Sequence, residues 1–378
     1  MRIAIDAVTL SFRDTGVGIW TRGLIRALGR LDSRNEYLVY HGRDAAQLPP
    51  LESPAARYVP VHIPNAVRPV RILWEQFLLP RRLRRDGIDV LHCPAYVRPL
   101  RVRVPTVLTL HDLFAITHPQ CCTRLNVLHY GLMLPPSIRR ATVIHCTSAW
   151  TRQMLCERFP AQEHKAHVVH PGVDDEFRPA GGDVQADGVL ARMGVDAPPF
   201  LFVGSIEPKK NVPMLLDAYA QLKRRHGTGR KLLLVGRAAW GGSRAALLRI
   251  RALGLEGDVV RTGYVGRDDL PAIYRSALAL VFPSLWEGFG LPPLEAMACG
   301  TPVICTGGSG LAESAGDAAR IVPSGDAAAL ADAMHEMEGS PELRERLREA
   351  GLRRAEGFRW PAKARDFLRL YDLAAAGV

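Results

Sequence analysis

The sequence predicts an α/β protein organised as two doubly wound, Rossmann-like domains. Its 378 residues exceed what one hydrophobic core comfortably holds. Apolar runs of strand length alternate with helical patterns along most of the chain, as parallel sheets covered on both faces require. The stretch from Ala277 to Ser309 reads strand, glycine loop, helix and strand in direct succession. An apolar share of 47% and a charged share of 23% belong to an ordinary soluble globular protein.

In that stretch, Ala277–Phe282 reads as a buried parallel strand and Trp286–Gly290 as a loop. Pro292 and Pro293 suit a first helical turn, and Gly300 suits the end of a helix over Leu294–Cys299. Thr301–Cys305 then re-enters the sheet. The loop lies at the carboxyl edge, where open α/β sheets bind ligands, and the helix start favours phosphate. Two carboxylates, Glu287 and Glu295, complicate a pure phosphate site. Carboxylates accept hydrogen bonds in pairs, which suits vicinal sugar hydroxyls. A nucleotide-sugar would use everything present. The bland alternative has Glu295 stabilising the helix start and Glu287 solvated.

The Glu287-x7-Glu295 spacing within EGFGLPPLEAMACGTPV closely resembles the signature of the retaining GT-B glycosyltransferases of family four. The resemblance implies two Rossmann-like domains facing a deep interdomain cleft, with a C-terminal helix crossing back to the first. It places an acceptor-binding domain over residues 1–175 plus 361–378, and a donor-binding domain over 176–360. It also implies the activity: retaining, metal-independent transfer of a hexose of mannose type from a GDP- or UDP-linked sugar. The acceptor would be a glycan or lipid-linked oligosaccharide in bacterial surface polysaccharide synthesis, with no cofactor and no nucleic-acid partner.

Taken in order, Arg2–Val8 is a strand, followed by a glycine loop at Thr15–Trp20 and a helix to Leu31. Gly16-x-Gly18 lacks the third glycine of a dinucleotide fingerprint, since Thr21 stands there. It resembles the family's N-terminal glycine loop, which implies that Gly16 approaches the donor. Strands at Tyr37–His41, Tyr58–His62 and Asp89–Cys93 accompany a helix over Val70–Arg85 interrupted at Pro80. There Arg68, Arg71, Arg81, Arg82, Arg84 and Arg85 interleave with Leu73, Trp74 and Phe77. This fits either a basic face on an anionic membrane or a core helix with solvated arginines. Val104–Leu110 is a strand ending at His111-Asp112. A lone histidine is usually structural, but by resemblance His111 contacts the transferred sugar. Val143–Cys146 and a helix from Ala149 follow. His164, His167 and His170 flank a strand in which side chains alternate, so no metal site is expected.

The passage His170–Asp174 through Pro179–Gly182 is the one linker by composition, and it resembles the family's joining segment. Phe200–Gly204 is a strand leading through Ser205, Lys209 and Lys210 into a helix over Val212–Arg225. A lysine there neutralises a diphosphate. The family's arginine is replaced by Ser205, so Lys210 carries the phosphate charge. Leu232–Val235, Ser243–Leu253, Val259–Thr262 and Asp269–Ala277 continue the alternation. The loop Gly263–Gly266, with Tyr264 and Val265, meets the nucleobase by resemblance. Trp360–Ala376 is the closing helix.

The formal charge of +11 is uneven: 24 basic against 15 acidic residues through position 180, and 25 against 23 beyond. A basic first half points to an anionic acceptor or platform. Seven cysteines without metal-ligand spacing read as reduced thiols, and no run of eighteen apolar residues exists. The opening residues read as a strand and not as a signal peptide, so the expected location is the cytoplasm, with the inner membrane face as the candidate platform. No D-x-D is present to hold a metal–diphosphate complex, and no nucleophile elbow either. The expected catalytic set is His111, Lys210 and Glu287. The expected donor set is Gly16, Ser205, Lys209, Tyr264, Val265, Gly288, Phe289, Gly290, Leu291 and Glu295. By resemblance, the leaving diphosphate itself helps deprotonate the acceptor. A non-catalytic nucleotide-sugar-binding subunit, or a phosphorylase of the same fold using pyridoxal phosphate, is the alternative.

Overall fold

A computed structural model describes the chain apart from residues 9, 11–14, 44, 46–47, 49–50, 52–55, 65–66, 180–186, 238–241 and 378. It forms two compact units, Met1–Gly172 with Arg359–Val378, and Val173–Phe358. The first contains strands β1 (Arg2–Asp6), β2 (Glu36–Gly42), β3 (Ala56–Val61), β4 (Val90–Cys93), β5 (Thr106–Leu110), β6 (Val143–Cys146) and β7 (Ala166–Val168). They form one sheet in the order β3-β2-β1-β4-β5-β6-β7. The second contains β8 (Phe200–Val203), β9 (Leu232–Val235), β10 (Val259–Gly263), β11 (Ala279–Phe282), β12 (Val303–Thr306) and β13 (Arg320–Val322), ordered β10-β9-β8-β11-β12-β13.

The pairings are parallel in both sheets. Strand order reverses between β1 and β4 in one sheet, and between β8 and β11 in the other. At such switch points the chain leaves the sheet in opposite directions, opening a crevice beyond the carboxyl ends. Strands β4, β6, β8, β9, β11 and β12 are buried along their whole length. Coverage on both faces selects the continuous apolar runs seen in the sequence.

Local structure departs from expectation at three places. The stretch expected as a glycine loop is already the first turn of the helix Gly16–Leu31. Thr15 caps it, accepting a hydrogen bond from the Gly18 N–H at 3.1 Å, and this cap outweighs the low helix propensity of the glycines. The expected helix over Val70–Arg85 is three runs: Arg68–Leu73, a π-helical turn at Trp74–Leu78, and Leu79–Arg85. The wide turn removes the demand for a Pro80 N–H, so the proline begins the last run instead of breaking the helix. Trp74 is buried against Tyr40 and is not part of an exposed face, whereas Leu73, Phe77 and Leu78 are exposed. A further helix, Arg124–Arg140, is capped by Thr123 and runs through Pro135 and Pro136.

The passage expected as a linker is packed where it is described. Val173 N–H donates to Phe358 O at 2.8 Å, and Asp174 and Phe177 are buried. Its Ala180–Gly182 portion lies outside the described residues.

The closing helix, Trp360–Ala376, packs on the first sheet and on the helix Gly16–Leu31. The Trp360 ring lies so close to Gly23 that any Cβ there would sit 2.4 Å from it. Beneath it runs a hydrogen-bonded chain whose proton positions follow by elimination. A carbonyl only accepts, so His145 Nε2–H donates to Val169 O at 2.7 Å. His145 Nδ1 then accepts from the Thr109 hydroxyl at 3.0 Å, and Thr109 accepts from His92 Nε2–H at 2.8 Å. His92 Nδ1 accepts from the Tyr371 hydroxyl at 2.8 Å. Both rings are neutral: burial pushes His92 down to about 3 and holds His145 well below its ordinary value.

Unfolding frees these rings to take up protons below about pH 6.5, which the folded rings refuse until far lower. Their stabilising contribution is therefore complete above that pH and lost as pH falls toward 3. By pH 5 each ring removes up to about 2 kcal/mol. The drop in melting temperature between pH 7 and pH 5 will be smaller in His92→Asn than in the unchanged protein. Equal drops would show that the ring is not the titrating group.

Candidate functional site

The second sheet concentrates charge at its switch point. Lys210 follows β8 and Glu287 follows β11, so the fold brings two residues 77 positions apart to one crevice. Lys210 Nζ donates to Glu287 Oε1 at 2.6 Å and lies 4.8 Å from the centre of the Phe282 ring. Glu287 is 7% exposed and Lys210 9%. Burial alone would raise the Glu287 pKa, but the charges of Lys210 and Lys209 and the Lys210 hydrogen bond outweigh it and hold it below the usual carboxylate value. Glu287 is thus an ionised acceptor. Lys210 uses one of its three donors on it.

Backbone contacts set this pair in place. Leu285 N–H donates to Lys209 O at 2.8 Å, tying one switch-point loop to the other. Glu287 N–H donates to Ser309 Oγ at 3.1 Å, and Gly310 N–H to Glu287 O at 3.0 Å. A Cβ on Gly310 would fall 2.1 Å from Gly288 O, so only glycine permits the approach. Gly290, with φ of 101°, opens the helix Leu291–Ala298, whose first turn holds Pro292 and Pro293. Two prolines remove two first-turn donors, which concentrates the available N–H groups in the Gly288–Leu291 loop. The Phe289 side chain is core, packed 5.7 Å from Phe358, so only its backbone can serve a ligand.

Glu295 sits in a different electrostatic setting. Its Oε1 accepts from Arg267 at 3.2 Å and its Oε2 from the Tyr274 hydroxyl at 3.0 Å. Arg267 also donates to Asp174 at 2.6 Å and Glu176 at 3.0 Å, and lies over Phe177. One guanidinium therefore serves three carboxylates. Burial raises the Glu295 pKa, and Arg267 and Tyr274 only partly oppose it. Sequence reasoning missed Arg267. Its signal was its position directly after Gly266, with the acidic run Asp174-Asp175-Glu176 elsewhere in the chain to pair with it. The exposed Tyr264 ring lies under Arg237 at 4.9 Å, with Val265 beside it in the same loop. Lys209 is 3.7 Å from Glu207, and Ser205 follows β8 directly.

His111 and Gly16 lie in the first unit. His111 Nε2 is 2.9 Å from Pro94 O, a carbonyl, so this nitrogen carries the proton and Nδ1 is left as an acceptor. Burial depresses its pKa more than Pro94 O and Asp112 raise it, so the ring is neutral. Trp20 meets it edge-on at 5.0 Å and Tyr96 at 5.5 Å. Gly16 occupies the first turn of its helix, with no heavy atom within 4 Å of a Cβ built there.

Comparison with known proteins agrees with this geometry. Residues 194–354 match the family described as glycosyl transferases group 1, and residues 15–177 match glycosyltransferase family 4. The chain is 38% identical over 284 residues to a D-inositol 3-phosphate glycosyltransferase of Frankia alni, covering 71% of this chain and 68% of that one. It is 28% identical over 384 residues to the O-antigen chain mannosyltransferase B of Escherichia coli, covering 99% and 100%. The solved sucrose-phosphate synthase of Thermosynechococcus elongatus superposes with a TM-score of 0.79 at 22% identity, over 100% of both chains, which establishes a shared fold. The protein belongs to the family 4, group 1 glycosyltransferases and is a hexosyltransferase of GT-B fold.

Proposed function

We propose that this hexosyltransferase moves a mannose-type hexose from a GDP- or UDP-linked donor to a glycan or lipid-linked acceptor in surface polysaccharide synthesis, with retention and without a metal ion. The Lys210–Glu287 pair at the β8/β11 switch point carries the reading. The two remaining Lys210 donors meet the diphosphate, and the Gly288–Leu291 N–H groups complete the anion site. Ionised Glu287 accepts hydroxyls of the donor sugar, and Glu295 accepts those of the ribose. Tyr264 and Val265 border the base, and Ser205 and Lys209 line the β8 side. His111, neutral and with Nδ1 as acceptor, takes a sugar hydroxyl, and Gly16 admits the donor to the helix start. The departing diphosphate draws the acceptor proton, and Lys210 stabilises the charge that develops there. Full-length similarity to a mannosyltransferase of O-antigen chains supports the sugar and the pathway class.

A specific surface supports a membrane platform. A groove of about 340 Å³ is lined by His62, Leu78, Arg81, Arg82 and Arg85 beside buried Trp74. Next to it Leu73, Phe77 and Leu78 are exposed, as are Leu125 (72%), Leu128 (62%) and Leu132 (66%) on the helix Arg124–Arg140. Arg68 joins the two helices through a 2.9 Å hydrogen bond to Asn126 Oδ1. Apolar side chains ringed by arginines match the chemistry of an anionic lipid surface. Among the described residues, no helix is long and apolar enough to cross a membrane.

Three outcomes test these statements. Glu295→Ala will weaken nucleotide and nucleotide-sugar binding by about 1.5–3 kcal/mol, roughly 10- to 150-fold in calorimetric Kd. An unchanged Kd removes Glu295 from the donor site, and a wild-type protein that binds donor yet never turns over is a non-catalytic subunit.

Transfer will continue in excess chelator, because Lys210 supplies the positive charge and the sequence has no D-x-D. Activity that disappears with chelator and returns with Mg²⁺ or Mn²⁺ defeats the metal-free account.

Arg81→Gln combined with Arg84→Gln will reduce binding to anionic vesicles by about 2 kcal/mol at low salt and leave nucleotide affinity unchanged. A wild-type protein that does not sediment with such vesicles rules out the platform.

A further inference from the structure

The first sheet has its own switch point, between β1 and β4, and the catalytic assignment leaves it unused. A small recess of about 30 Å³ opens there, lined by Asp6 at the end of β1, Cys93 and Pro94 at the end of β4, and Arg71, Glu75 and His129 from the helices above. Cys93, Pro94, Ala95 and Val97 form its apolar part, and the charges of its polar part are poorly satisfied. Asp6 is 5% exposed, yet among the described residues it accepts a single long hydrogen bond, from Val8 N–H at 3.4 Å. Glu75 meets Arg71 Nε at 3.4 Å, and that nitrogen is buried without a hydrogen-bond partner. Glu75 stands on the π-helical turn and lines the recess from there.

Two buried carboxyls sharing one guanidinium are costly to fold around, and such cost is retained where a ligand offsets it. Burial raises both carboxyls, and the Asp6 charge raises Glu75 further. His129 is pushed down to about 4 by burial and by Arg68 and Arg71, so it adds no positive charge. The recess thus has no surplus cation for a phosphate. Its volume suits one or two water-sized groups, too little for a sugar ring. A hydroxyl fits: it donates to a carboxylate and accepts from Arg71 Nε–H in one position.

We propose that the Asp6–Glu75–Arg71 recess is an acceptor subsite that takes one uncharged hydroxyl or hydroxymethyl arm of a sugar and excludes phosphorylated acceptors. This rests on reading the first unit as the acceptor-binding one.

The test is saturation-transfer NMR on the full chain with methyl glycosides of mannose, glucose, galactose and N-acetylglucosamine, and with mannose 6-phosphate and inositol 1-phosphate as charged comparators. UDP and GDP are titrated into the same samples. At least one neutral glycoside will receive saturation, and its affinity will fall about tenfold in Glu75→Gln and in Asp6→Asn. Both variants keep shape and replace a poorly satisfied buried carboxyl with an amide, so their melting temperatures will match or exceed that of the unchanged protein. The nucleotide Kd will not move. The inference is overturned if no glycoside is saturated, if both variants bind as before, or if a sugar phosphate binds in preference through Asp6 and Glu75. Glycoside binding that depends on Glu75 in a protein that binds neither nucleotide would leave the recess standing and remove the transferase reading of the second unit.

Discussion

The switch point of the second sheet depends on one ion pair. Lys210 and Glu287 close the crevice between β8 and β11, and each is the reason the other tolerates burial. Removing one partner leaves a buried charge uncompensated, at a cost of about 3–5 kcal/mol. The pair is therefore structural, and under the proposed function it also serves the ligand. It keeps Glu287 ionised, holds its carboxylate at the sheet edge, and leaves two Lys210 donors for an incoming anion. The close approach of Gly310 to Gly288 exists to bring the Glu287 backbone within reach of Ser309 and so to fix the direction of that carboxylate.

The two sheets repeat one topology and spend their switch points differently. The second places a lysine there, the first a poorly paired aspartate with Glu75 above it. One crevice invites negative charge, and the other is suited to hydroxyl groups. The excess positive charge of the first half is found elsewhere, on Arg81, Arg82 and Arg85 around the outer groove.

Much of this was legible in the sequence. Both-sided burial writes β8, β9, β11 and β12 as plain apolar runs, and the Glu287–Glu295 loop is local, so its chemistry is contained in one short stretch. What stayed hidden depends on distant partners or on geometry without a residue code. Arg267 acquires meaning only through Asp174, 93 residues away, and Asp6 only through helices brought over β1 by the fold. The π turn at Trp74–Leu78 carries no compositional mark, although it decides that Trp74 points inward and where Glu75 sits. Pro135 and Pro136 argue against a helix that tertiary packing nonetheless sustains.

Glu287 and Glu295 lie eight positions apart, are equally buried, and are pushed in opposite directions. The difference is the ratio of cations to carboxylates around each. Glu287 has Lys210 and Lys209 near it, whereas Glu295 shares Arg267 with Asp174 and Glu176. Around Glu287 positive charge suffices to welcome a phosphate; around Glu295 negative charge is in surplus, and a phosphate would be repelled while hydroxyl donors are accepted. A donor with phosphate in the middle and polyol toward one end has only one comfortable orientation in such a field. The proposed donor site would thus order a nucleotide-sugar by the distribution of charge along a single loop and helix, before any shape complementarity is invoked.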